Sequence, residues 1–154
     1  MDNINRESNE ENNLRSKAVN QSPKPISDYN FIKLFFACMH ANNQTFFDRN
    51  SLRYDLYPFK GDDRYSDLFQ NVAVKQVVEG NFLEIEEALQ NADFLGIIRL
   101  ADNINNSKSV ILLDDEYSEA IMSCYGDDTI KMDGLVREFV DKKRMEIPVK
   151  KIEY

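Results

Sequence analysis

The densest apolar pattern opens just after residue 27. Phe31, Leu34, Phe35 and Cys38 fall at i, i+3, i+4 and i+7, and Ile32, Phe36 and Met39 widen the stripe. A helix apolar over most of its circumference belongs at the centre of a core, and Ser27 can cap it over residues 28–41. Asp48 can start a short helix carrying Leu52 and Leu56, which Pro58 and Gly61 then break. Residues 64–79 predict another helix, with Tyr65, Leu68, Phe69, Val72 and Ala73 on one face and Gly80 at C′. Asn81 with Glu84 three residues on resembles a capping box. It opens a helix with Phe82, Ile85, Leu89 and Ala92 inward, stopped by Gly96.

The period then changes. Residues 97–100 and 109–113 are β-branched apolar runs around a polar loop at 102–108, which reads as an antiparallel hairpin. Asp114 or Asp115 caps a helix reaching about residue 125, with Tyr117, Ala120, Ile121 and Cys124 inward and Gly126 as its stop. Asp128 caps a last helix whose Met132, Leu135, Val136, Phe139 and Val140 match the helical template. Lys142, Lys143 and Arg144 suit its final turn, and Pro148 ends it. The expected fold class is α+β, mostly α. It has five or six helices and one β-hairpin, an order compatible with a winged-helix-like arrangement. Residues 1–26, rich in Asn, Ser, Glu and Gln, read as a disordered N-terminal tail. Residues 27–146 then form one globular domain, and 147–154 a C-terminal tail.

Composition adds a sign. The 154 residues are 42% hydrophobic and 30% charged, with a formal net charge of −8, which suits a globular chain and excludes collagen or a disulfide-stapled miniprotein. Residues 1–25 carry four basic and four acidic side chains, and residues 142–154 carry five basic and two acidic. The middle therefore holds 10 basic and 21 acidic residues, a net charge of −11. Such a surface repels phosphates and attracts basic partners. No run approaches the ~20 apolar residues of a membrane helix. Residues 1–21 lack a signal-peptide core, so the expected location is cytoplasmic.

Candidate chemistry is sparse. His40 is the lone histidine, and a Ser-His-Asp or Cys-His mechanism would have to use it. Cys38 lies two residues before it, a spacing that does not share a helix face. Cys38, His40 and Cys124 supply at most three zinc ligands without a C-x-x-C pair. Both cysteines read as buried free thiols. A calcium loop from Asp102 would put Ile104 and Leu113 at ligand positions three and twelve. Asp62–Asp63, Asp114–Asp115–Glu116 and Asp127–Asp128 each stand where a helix begins, which capping explains. The glycines at 61, 80, 96, 126 and 134 form no phosphate loop. No catalytic site, metal or cofactor is expected.

In a winged helix, the helix before the hairpin reads DNA. Here it carries Glu84, Glu86, Glu87 and Asp93 and no basic residue, which opposes phosphate binding. Arg49, Arg53, Lys60 and Arg64, interleaved with Tyr54 and Tyr57, are the remaining nucleic-acid candidates. Leu113-Asp114-Asp115-Glu116-Tyr117, Ile121, Tyr125-Gly126, and then Leu135 and Val136 resemble the closing helices of the Panacea antitoxin family. Phe31-Ile32-Lys33-Leu34-Phe35-Phe36 is loosely similar to its opening helix, while the family's Gly-Pro motif has no counterpart here. The resemblance implies a small protein of mobile-element or phage type that neutralises a partner protein. The expectation is a non-catalytic, antitoxin- or inhibitor-like binder, engaging a basic protein through Glu84, Glu86, Glu87 and Asp93. The alternatives are a winged-helix transcription regulator using the four basic residues, and an enzyme with a carboxylate-held metal.

Overall fold

A computed structural model describes residues 25–101 and 108–152. Most of the expected N-terminal tail and most of the hairpin's polar loop lie outside the described residues. The fold is α+β and mostly α. Helix α1 (Asp28–Ala41) is its axis, and every residue from Phe31 to Met39 except Lys33 is buried. The Ser27 hydroxyl accepts the Asn30 N–H at 3.0 Å, which caps α1 as its sequence predicts. Phe35 meets Phe139 edge-on with ring centroids 5.5 Å apart, and Phe31 packs on Phe69 at 4.7 Å.

Strand β1 (Phe46–Asp48) follows and was not legible as a strand. The Asp48 carboxylate then caps α2 (Arg49–Lys60) through the Asn50 and Ser51 N–H groups. Pro58 does not break α2, because it lies in the last turn, where its missing N–H costs only one terminal bond. The helix ends at Gly61.

The expected helix over 64–79 is replaced by a 3-10 turn (Ser66–Phe69), strand β2 (Val74–Val77) and the turn that leads into strand β3 (Gly80–Leu83). The apolar spacing stays helical from Tyr65 to Ala73, yet only Ser66–Phe69 forms a helical turn. Beyond it, Val74, Val77 and Val78 favour extended backbone. β2 and β3 pair antiparallel, Val77 opposite Gly80, across the two-residue turn Val78–Glu79. Phe82 therefore lies in a strand. The next helix, α3 (Glu86–Phe94), starts only after Ile85, and Asn81 forms no cap. The Asn81 amide instead donates to the Tyr57 phenol on α2 at 3.1 Å. Ile85, Leu89 and Ala92 are buried as expected.

The expected hairpin is present as β4 (Ile98–Arg99) and β5 (Lys108–Ile111), but it is one of two among the described residues. β1 adds to it antiparallel, giving the order β1-β5-β4. Helix, strand, helix, helix, then two strands with the first strand beside the last is the winged-helix connectivity, here with β2–β3 inserted before α3. Asp114 caps α4 (Asp115–Ser123). Its inward face is Ser118 and Ile121, so Tyr117, Ala120 and Cys124 stay exposed, against expectation. The face follows Ser118, Ile121, Met122 and Tyr125.

Helix α5 (Asp127–Ile152) buries Met132, Leu135, Val136, Phe139 and Val140 as predicted. It starts at Asp127 rather than behind an Asp128 cap, and its backbone continues through Pro148. Lys142, Lys143 and Arg144 are therefore not its last turn. Lys142 stacks on Phe59 at 4.8 Å, Lys143 pairs with Asp55 at 2.5 Å, and Arg144 lies 3.8 Å from Asp141.

Candidate interaction surface

The β2–β3 hairpin and α3 gather the acidic candidates. The Glu84 N–H donates to the Ala73 carbonyl at 2.8 Å, which fixes the exit from β3, and its carboxylate lies 4.0 Å from Lys75. Glu84 is thus ahead of α3 rather than on it. Glu86 pairs with Arg49 and accepts from the Gln90 amide at 3.1 Å. Glu87 has no hydrogen bond or ion pair among the described residues. All three border an open cavity of about 380 Å³, together with Asp28, Arg53 and Lys75. Asp93 lies two turns along α3 from Glu86, on the same face, and its carboxylate weakly accepts the Leu100 N–H at 3.4 Å. The four carboxylates are exposed on one side of the fold, two of them partly neutralised.

Sequence reasoning missed the apolar tip of this surface. Phe94 is 87% exposed and Leu95 57% exposed. Glu87 and Phe94 stand at i, i+7, so the ring continues the Glu87 face. Leu112, also exposed, donates its N–H to the Ile97 carbonyl at 2.9 Å, close beyond Gly96. The signal was available: Phe94 falls off the buried Ile85–Leu89–Ala92 stripe.

Of the four basic candidates, Arg49, Arg53 and Lys60 are half-buried, whereas Arg64 stays exposed. Arg49 pairs with Glu86 and donates to the Ala101 carbonyl at 2.8 Å. Arg53 stacks on Phe82 at 4.3 Å and Tyr54 at 5.2 Å. The Lys60 ammonium holds the carbonyls of Phe69 and Val72 at 2.8 and 3.1 Å. Arg64 pairs with Asp62 and Glu138 at 2.7 and 2.6 Å. The charges of Arg49, Lys60 and Arg64 serve internal pairs and carbonyls, while Arg53 stacks on rings with its Nε buried and without a hydrogen-bond partner.

Burial pushes the Cys38 thiol up to about 12, with the Asp133 charge adding to it, so the thiolate a nucleophile needs is suppressed. Cys124 is exposed rather than buried. The His40 imidazole Nε2 meets the Asp115 carboxylate at 2.9 Å, joining the end of α1 to the start of α4. Asp114 accepts the Tyr117 N–H at 2.7 Å, a capping role. Asp62 is held below the usual carboxylate range by hydrogen bonds from Arg64. Asp128 is instead raised by burial. Among the described residues no group of His, Cys, Asp and Glu side chains is placed to hold a metal, and no helix is long and apolar enough to cross a membrane. Comparison of the chain with protein-family models, curated proteins and solved structures returns no match.

Proposed function

We propose that this protein is a non-catalytic, antitoxin- or inhibitor-like binder that engages a basic partner protein through α3. The observation that carries the reading is Phe94, 87% exposed at the end of a helix bearing Glu86, Glu87 and Asp93. Burying one such ring yields about 1.5–3 kcal/mol, enough for an anchor. Carboxylates around an anchor set partner sign and association rate more than affinity. The sequence resemblance of residues 113–126 to the Panacea antitoxins, which no family model supports, is compatible with this reading. The duplex-binding reading is weakened by the internal engagement of Arg49, Arg53, Lys60 and Arg64.

The test is affinity capture from native lysate at graded salt, with mass spectrometry of what is retained. Phe94→Asp and the triple variant E84K/E87K/D93K are run beside the wild type. Glu86 is left intact because it pairs with Arg49. A basic protein held by the wild type, released by salt and lost with both variants is expected. Equal retention by all three, or retention of nucleic acid alone, overturns the reading.

A further inference from the structure

The open cavity beside β3 holds opposite charges that do not meet. The half-buried Arg53 guanidinium lies over the Phe82 and Tyr54 rings, 4.3 and 5.2 Å from their centroids. Its Nε is buried with no hydrogen-bond partner, and the side chain makes no ion pair among the described residues. Yet Arg53 lines the same cavity of about 380 Å³ as Asp28, Glu84, Glu86 and Glu87. The rings cover a face of the guanidinium, whereas its N–H groups donate from its edge. The Asn71 amide, on the same rim, holds the carbonyls of Ile26 and Pro25 at 3.0 and 3.4 Å, which fixes the entry to α1 and with it Asp28.

Two of the carboxylates are already answered: Glu86 pairs with Arg49, and Glu84 lies 4.0 Å from Lys75. The carboxylates of Asp28 and Glu87 have no hydrogen bond or ion pair among the described residues. One cation and two anions around the cavity therefore lack a counterion. A half-buried charge without a counterion is unfavourable. Inorganic phosphate would meet Arg53 but be repelled by Asp28 and Glu87, and a diamine would leave Arg53 unanswered. A molecule with one carboxylate and two cationic groups answers all three.

We propose that this cavity binds a free basic α-amino acid, its carboxylate on Arg53, its two cationic groups on Asp28 and Glu87, and its aliphatic stem along the Phe82 ring. The volume stands at the small end of the ~300–1,000 Å³ usual for small-molecule sites. The guanidinium–carboxylate pair is the strong, directional contact of the set. Glu87 also belongs to the acidic face of α3, so a bound amino acid opposes a basic partner there; that consequence rests on the proposed function, while the binding does not.

The test is titration of the ¹⁵N-labelled full chain with L-lysine, read from amide signals. Saturable shifts at residues 71–75 and 82–87 are expected. Cadaverine, which is lysine without its carboxylate, and norleucine, which lacks the side-chain ammonium, are each expected to bind at least tenfold more weakly. Arg53→Met, which keeps an aliphatic chain on the rings, and D28N/E87Q are each expected to weaken lysine binding at least tenfold. The two analogues probe the same contacts even where a variant fails to fold. No saturable shift, cadaverine or norleucine binding as tightly as lysine, or shifts with inorganic phosphate alone overturns the proposal. Nα-acetyl-L-lysine keeps the carboxylate and the side-chain cation only; binding equal to that of lysine overturns the free amino acid in favour of a chain that ends in a basic residue. A protein that binds lysine and captures no partner would sink the proposed function and leave this site standing.

Discussion

The Tyr65 phenol donates to the Glu138 carboxylate at 2.6 Å, closing a span of 73 residues between the turn after α2 and the middle of α5. Arg64 grips the same carboxylate with two N–H groups, at 2.6 and 3.0 Å. Tyr65→Phe keeps the buried ring and removes one bond to a charged acceptor. The expected loss is about 1.5 kcal/mol, the low end for such bonds because Glu138 is partly exposed. Urea unfolding checks it: the midpoint drops while the m value stays constant.

The same cluster shapes the pH dependence. Glu138 is held below its ordinary value first by the Tyr65 hydrogen bond and then by Arg64. Asp62 is lowered by Arg64. Unfolded, both take up protons near the usual carboxylate values of ~4. Their stabilisation is therefore present above that range and lost as pH falls through the depressed native values. Asp128, raised by burial, opposes this acid limb. At the other end, burial and then Glu138 push Tyr65 up to about 12. The unfolded phenol ionises first, so stability falls as pH rises from ~10 toward that value. Tyr29 and Tyr125 are raised by burial too, so Tyr65→Phe should flatten only part of the alkaline limb. Thermal unfolding across pH tests both flanks.

The two thiols should separate cleanly. Cys38 is buried with its ionisation suppressed, whereas Cys124 is exposed, its Sγ 3.3 Å from the Ala120 carbonyl. A disulfide reagent at neutral pH should titrate one thiol quickly in the native protein and both in denaturant. Cys124→Ser should abolish the fast phase.

Gly134 sits inside α5 against the Tyr65 ring, and a Cβ there would lie 3.3 Å from the phenol oxygen. The phenol is pinned by Glu138 and cannot retreat without losing that bond. Gly134→Ala should therefore lower stability, although alanine favours a helix by about 1 kcal/mol. In a Tyr65→Phe background the oxygen is gone and the substitution should become stabilising. A double-mutant cycle by urea unfolding reads the sign change.

How far the sequence spoke depended on what competed with the local period. α1 was legible because Phe31 to Met39 leave a helix no other fate and Ser27 caps it. α5 was legible because its stripe is uninterrupted from Met132 to Val140. The β2–β3 hairpin was hidden because its turn is Val78–Glu79, without the Asn-Gly or Asp-Gly signature of two-residue loops. Neither turn residue has positive φ; Gly80 carries it, at +135°. A glycine that opens a strand looks in sequence like one that closes a helix. β1 was hidden because three residues show no alternation and because its partner β5 is some 60 residues away.

The site divided in the same manner. Exposure of Glu84, Glu86, Glu87 and Asp93 follows from their polarity. That Arg49 would neutralise Glu86, and that Asn71 would bring the chain's entry to the cavity rim, are tertiary facts that no local pattern encodes. Phe94 could have been found as the aromatic residue that misses its helix's buried stripe.

α1 packs chiefly on α4 and α5, both far downstream of it in sequence. On the ribosome, at about 5–20 residues per second, Phe31 and Phe36 meet Phe69 and Phe47 early, but Phe35 must wait for Phe139, about 100 residues later. Newborn chains thus pass through an interval of seconds with Phe35 uncovered, a window in which holdase capture competes with productive closure.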